Sequence, residues 1–159
     1  MNFVAAPDPL DLLLDRFAPQ LQLKQEAGKR FIRCLIRRTW LVLQPEEFVR
    51  QLLLLFLVED MHYNRNRITV ERGLEVEDQA KRTDILVFDR QMRPFLLIEC
   101  KAPKVKLTDQ TFRQLSTYNG PLAVPYLMIS NGRASYVCEM DYDKKSYHFL
   151  VAPPEYPSS

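Results

Sequence analysis

A chain of 159 residues is most simply one domain with room for one site, and 47% apolar with 26% charged residues excludes a disordered composition. The formal net charge of +2 excludes whole-molecule attraction of a polyanion, so such a partner would have to be held by local clusters. The longest apolar run, LLLLFLV at 52–58, is far short of the roughly 20 residues a membrane-spanning helix needs, and no membrane is expected as partner.

In chain order, residues 1–24 carry prolines at 7, 9 and 19 around LDLLLDRF, which predicts a short helix on an extended arm. Asp8, Asp11 and Asp15 precede any long apolar stretch, so no secretory leader is expected. GKRFIRCLIRRTWLVL is rich in β-branched and aromatic residues and predicts a hairpin or strand pair with exposed arginines. QPEEFVRQLLLLFLVED predicts a central packing helix: Pro45 suits its first turn, Glu46 and Glu47 complement the dipole, and apolar residues cover most of its circumference.

RITVERGLEVED is expected to be extended, TDILVFD a strand, RQMR a turn and PFLLIECKA a second strand. LTDQTFRQLSTYN has a helical pattern, with Thr108 or Asp109 able to cap it and Asn119-Gly120-Pro121 to end it. AVPYLMIS, ASYVCEM and SYHFLV predict three more strands, separated by turns at Asn131-Gly132 and at 141–144. APPEYPSS is expected to fray. The result is an α/β domain at 25–152, an arm at 1–24 and a tail at 153–159. Cys34, Cys100 and Cys138 form no CxxC pair and no even set, which predicts reduced thiols in a cytoplasmic compartment.

The charges inside RTDILVFDRQMRPFLLIECKAP need a reason, because an unpaired charge among Ile, Leu, Val and Phe costs several kcal/mol. Alternation along a strand puts Phe95, Leu97, Glu99 and Lys101 on one side and Leu96, Ile98 and Cys100 on the other. A short turn between the two strands can bring Asp84 beside Glu99. Two adjacent carboxylates repel, and an oxygen-preferring cation such as Mg²⁺ (or Mn²⁺) relieves the repulsion, with the Cys100 carbonyl as a further donor. Lys101 can then hold or help deprotonate a water on the metal. Gln114 and Tyr118, four apart on the next helix, share a face that can meet a phosphate or a base.

TD, then ECK, then QLSTY resembles the PD-(D/E)XK nuclease superfamily, in the branch whose next helix carries Q-x-x-x-Y. LQPEEFVRQLLLLFLVED, RTDILVFD, PFLLIECKAP and YLMISNG together resemble the N-terminal nuclease domain of type I restriction enzyme R subunits and its stand-alone relatives, from about residue 29 to 140. The resemblance implies a restriction-endonuclease-like fold, a central mixed β-sheet flanked by helices. It implies metal-dependent phosphodiester cleavage by Asp84, Glu99, Lys101 and Gln114, and matches Glu47 to an acidic position on the family's first helix. Thr83 stands where the superfamily name has proline, and no G-x-x-x-x-G-K-[ST] loop is present, so any ATP-driven motor would be a separate polypeptide.

Basic residues fall in three groups: Lys29, Arg30, Arg33, Arg37 and Arg38; Arg65 and Arg67; and Lys104, Lys106 and Arg113. Beside the carboxylates they would neutralise backbone phosphates, and Lys104, Lys106, Arg113 and Tyr118 are the expected nucleic-acid contacts. Taken singly, Asp84 reads as a strand-end ion-pair residue, Glu99 and Lys101 as an edge-strand pair, Tyr118 as a half-buried core aromatic and Glu47 as a helix-dipole residue. Jointly they read as a metal site. The expected partner is DNA, with RNA as an open alternative, and a homodimer or a separate motor or specificity protein completes the expectation. The competing reading is a non-catalytic nuclease-fold module for binding or assembly.

Overall fold

The computed structural model describes residues 6–76, 79–118 and 122–158, with backbone alone at 71–76, 79–84 and 117–118. A 3-10 helix, Leu14–Gln20, supplies the short helix expected near the N-terminus and buries Leu14 and Phe17. β1 (Leu23–Glu26), β2 (Lys29–Arg33) and β3 (Trp40–Val42) then form an antiparallel three-stranded sheet in chain order. The predicted strand pair is β2–β3. LKQE has no alternation of its own, and only pairing with β2, Leu23 opposite Ile32 and Lys24 opposite Phe31, makes it a strand.

α1 (Pro45–Leu55) starts with proline in its first turn and runs into a π-helical turn, Phe56–Asp60. Its leucines are buried nearly all round, as the unbroken apolar run required. The large sheet contains β4 (Ile68–Val76), β5 (Gln79–Phe88), β6 (Pro94–Cys100), β7 (Tyr126–Ser130), β8 (Ser135–Asp141) and β9 (Ser146–Phe149), side by side in chain order. Every neighbouring pair is antiparallel except β6–β7, which is parallel and joined through α2 (Asp109–Tyr118). A parallel neighbour needs such a crossover, because a tight turn can only reverse the chain.

The sheet is covered on both faces. On one, Val49, Leu53 and Leu57 of α1 and its extension pack with Ile85, Leu96, Ile98, Met128 and Val137. On the other, Phe112 and Leu115 of α2 pack with Leu86, Leu97, Leu127, Ile129 and Cys138. Each such side chain contributes about 1.5–3 kcal/mol when fully buried. Phe95 departs from the expected alternation and joins the α1-side core, close to the register shift at Val87/Phe88 in the β5–β6 ladder. The result is an α/β architecture, a mixed sheet flanked by helices, consistent with the restriction-endonuclease-like fold.

The tail differs from the expected frayed end. Tyr156 packs its ring 5.2 Å from that of Tyr63 and 6.0 Å from that of Phe95, and its hydroxyl donates to the Phe88 carbonyl at 2.8 Å. The Tyr63 hydroxyl donates to the Pro154 carbonyl. One aromatic side chain supplies the anchoring that the prolines around it cannot. Cys34, Cys100 and Cys138 are buried, and none of them is in a disulfide among the described residues. Among the described residues no helix is long and apolar enough to cross a membrane.

Candidate active site

β5 and β7 close both edges of β6 and the α1-side and α2-side cores cover its two faces, so a charge can reach solvent only near its ends. Ile98 and Cys100 belong to the α1 side, Leu97 to the α2 side. Glu99 pairs in register with Ile129, itself in the α2-side core, so it follows Leu97 onto that face at the last full step of the strand. The main-chain N–H of Lys101 donates to the Ser130 carbonyl at 2.8 Å, which carries the parallel ladder one residue further. The Lys101 ammonium stands 3.3 Å from Glu99 Oε1, with the side chains 32% and 22% exposed respectively. The pair is thus partly desolvated yet open to a ligand, which strengthens its electrostatics without sealing it.

Asp84 enters through register. β5 and β6 pair Leu86 with Leu97 and Ile85 with Ile98, where the ladder ends, and its register carried one step further outward would set Asp84 opposite Glu99. Residues directly opposite share a face of the sheet. The Asp84 side chain itself lies outside the described residues. On the other side of β5, Val70 pairs with Ile85 and Arg72 with Thr83, which sets Glu71 opposite Asp84. Three acidic positions therefore run across β4, β5 and β6. Glu71 was not singled out from the sequence, where RITVERGLEV shows several charges and nothing to rank them.

Beyond Lys101, the loop to α2 carries the exposed Lys104 and Lys106. It is tied back to the end of β7 by Asn131, whose Nδ2 donates to the Val105 carbonyl at 2.9 Å. The same Asn131 accepts the N–H groups of Arg133 and Ala134, so one side chain shapes the β7–β8 turn and fixes the loop. Thr108 caps α2 by accepting the Thr111 N–H at 3.3 Å, one of the two capping residues the sequence offered. Phe112 and Leu115 turn to the sheet, leaving Arg113 and Gln114 exposed. Among the described residues no hydrogen bond joins Gln114 to Glu99 or Lys101. The Tyr118 side chain and the Asn119-Gly120-Pro121 helix stop lie outside the described residues.

Glu47 is engaged elsewhere. It is buried on α1, where Oε2 accepts Arg50 Nε at 2.8 Å and Gln51 Nε2 at 3.0 Å, and Oε1 accepts a second Arg50 nitrogen. Gln51 passes the contact on, its Oε1 accepting the Leu35 N–H at 2.9 Å. Both carboxylate oxygens are therefore occupied by α1's own side chains.

The donors at the end of β6 are carboxylate and carbonyl oxygens, and the Cys100 thiol is buried in the α1-side core. That set fits in kind a hard, oxygen-preferring cation and not a thiolate- or imidazole-bound one. Among the residues whose side chains are described, no group of three or more His, Cys, Asp or Glu is placed to hold a metal ion. Members of two of the three basic groups meet, on the α1 side: Arg33, Arg38 and Arg65 line one cavity.

No curated protein matches the chain. A solved structure described as the fragment of an HsdR subunit of a type I restriction enzyme from Vibrio vulnificus YJ016 is similar over 57% of this chain and 18% of that one, at 22% identity and a TM-score of 0.37. This chain thus spans under a fifth of the length of that relative. The family model of the type I restriction enzyme R protein N terminus (HSDR_N) matches residues 45–154, from the first residue of α1 through all six strands of the large sheet to the docked tail. With the Asp84, Glu99 and Lys101 positions inside that span, the chain belongs to the type I restriction enzyme R protein N-terminal family.

Proposed function

We propose that this domain hydrolyses phosphodiester bonds of DNA with Mg²⁺ or Mn²⁺ as cofactor. What supports it most directly is the Lys101 ammonium 3.3 Å from Glu99 Oε1 at the solvent-reaching end of an otherwise buried strand, with Asp84 next in register. Asp84 and Glu99 would hold the cation, with the Cys100 carbonyl as a third oxygen. When bound, the cation supplies Lewis-acid stabilisation of charge on the scissile phosphate. Glu99 orients Lys101 through their ion pair. Lys101 positions the attacking water and offers a positive charge to the phosphate oxygens as negative charge accumulates there.

Lys104 and Lys106, on the loop leaving Lys101, would neutralise flanking phosphates, which gives binding without sequence preference. Arg113 and Gln114 would act from the exposed face of α2, with Tyr118 one turn beyond Gln114. Glu47 stays with Arg50 and Gln51 and supports α1. Motor and specificity functions would lie outside this domain, and cutting both strands would need two copies or two events.

The test is cleavage of supercoiled plasmid and labelled single-stranded DNA and RNA with each metal, comparing the natural chain with Lys101→Ala and Asp84→Ala. Loss of about 100-fold or more in both variants, with circular dichroism unchanged, is expected. Absence of cutting by the natural chain together with absence of Asp84-dependent Mn²⁺ binding would leave the Glu99–Lys101 pair a structural one.

A further inference from the structure

A cavity of about 370 Å³ lies where the end of the 3-10 helix, the β2–β3 turn, α1 and the Arg65–Arg67 turn meet. Its walls carry Arg33, Arg38 and Arg65 together with the amide side chains of Gln20, Gln22 and Gln51, and no described carboxylate lines it. Arg16, Arg50 and Arg93 each find a carboxylate within 3.0 Å or less. Arg33, Arg38 and Arg65 form no ion pair among the described residues. Three cations facing one cavity without a counter-charge repel one another, and an entering anion removes that repulsion.

The cavity is built before any ligand arrives. The β2–β3 turn is closed by Arg38 N–H to the Cys34 carbonyl and Cys34 N–H to the Thr39 carbonyl, both at 2.9 Å. Leu35 N–H is pinned to Gln51 Oε1, and Gln51 is in turn held by the buried Glu47. Arg38 sits at φ 57, a left-handed conformation that costs a non-glycine residue about 1 kcal/mol or more and is retained where the surroundings impose it. Arg33 is steadied against Trp40, its guanidinium carbon 5.8 Å from the ring centroid.

We propose that this cavity binds a phosphomonoester, the terminal phosphate of a nucleotide or of a DNA end, through Arg33, Arg38 and Arg65. The volume lies within the range of about 300–1,000 Å³ typical of small-ligand sites. The planar guanidinium fork matches phosphate oxygens two at a time. A terminal phosphate carries about −1.5 to −2 charges at neutral pH, closer to three cations than the single charge of an internal diester. The cavity belongs to the α1 side of the sheet, whereas Glu99 lies on the α2 face, so the proposal stands whether or not Glu99 and Lys101 catalyse hydrolysis.

The chain has one tryptophan, and it touches Arg33, so Trp40 fluorescence reports on the cavity. The experiment titrates the full chain, without divalent metal, with a 5′-phosphorylated oligonucleotide, the same oligonucleotide bearing a 5′-hydroxyl, AMP and inorganic phosphate, read by fluorescence and by calorimetry. Saturable binding of a phosphomonoester probe is expected, weakened about tenfold by Arg65→Gln and by Arg38→Asn. Asparagine keeps the left-handed turn accessible, so Arg38→Asn tests the charge and not the fold. Equal affinity for AMP and the phosphorylated oligonucleotide would assign a free nucleotide, and preference for the oligonucleotide a DNA end. Equal binding of the 5′-hydroxyl oligonucleotide, arginine variants that bind like the natural chain, or no calorimetric binding of any probe would each overturn the proposal.

Discussion

Removing Glu47 should destabilise the domain far more than removing a surface carboxylate, and the size follows from its partners. Glu47 and Arg50 are 7% and 5% exposed, and the carboxylate accepts two nitrogens from Arg50 and one from Gln51. In Glu47→Ala the buried guanidinium loses the carboxylate that holds two of its nitrogens, a loss of about 3–5 kcal/mol. The Gln51 donor, in a residue 1% exposed, loses its acceptor as well and adds about 1 kcal/mol. Against a total stability of about 5–15 kcal/mol, that is about a quarter or more. Arg50→Ala should cost a comparable amount by leaving the carboxylate uncompensated. The double variant Glu47→Leu with Arg50→Met, which replaces the pair by apolar groups of similar bulk, should recover most of the loss. Urea unfolding followed by far-UV circular dichroism on the natural chain, Glu47→Leu, Arg50→Met and their double variant closes the cycle and gives the coupling energy directly. Single variants costing under about 1 kcal/mol, or a double variant costing the sum of the singles, would refute the picture of a mutually dependent buried pair.

Gly132 sits at φ +91, and a Cβ there would stand 3.2 Å from Val49 Cγ2. Gly132→Ala should lower stability by about 1–2 kcal/mol, and Val49→Ala in the same background should show less than additive loss in denaturant unfolding. The Arg93 main-chain N–H, opposed by burial and joined by the Gln91 N–H and the Arg93 guanidinium, holds the Asp89 carboxyl below its usual range. The folded state therefore releases this proton more readily than the unfolded chain. Its contribution is complete above the ordinary carboxylate pKa of about 4 and lost as pH falls through the folded value. Asp89→Asn should accordingly flatten the acid limb of the Tm–pH profile, and an unchanged limb would dismiss the turn as a source of acid sensitivity. Tyr156→Phe removes the hydroxyl bond to the Phe88 carbonyl and should cost about 1 kcal/mol, with faster proteolytic trimming of the tail as its local signature.

Local chemistry was legible in the sequence. The apolar pattern placed α1, α2, β6 to β9 and the second half of β5, and made β4 an extended piece; Pro45 marked the start of α1, and Thr108 or Asp109 that of α2, because these signals act within one or two turns of chain. The position of Glu99 and Lys101 at the end of a strand covered on both faces was also legible, since strand alternation and two apolar faces leave few other arrangements.

What the sequence could not decide were contacts between residues far apart in the chain. LKQE becomes β1 only by pairing with β2, and the proline-rich tail docks through the Tyr156 ring on Tyr63 and Phe95 and through the Tyr63 and Tyr156 hydroxyl bonds. Glu47 matched a family position on the first helix, yet its oxygens are taken by Arg50 and Gln51, a choice between solvent, metal and neighbour that depends on burial. Arg33, Arg38 and Arg65 belong to two separate basic groups in the sequence and line one cavity in the fold. Periodicity and turn chemistry are properties of a short stretch of backbone. Which side chains share a desolvated space depends on how helices and sheets stack, and that is settled only when the whole core closes.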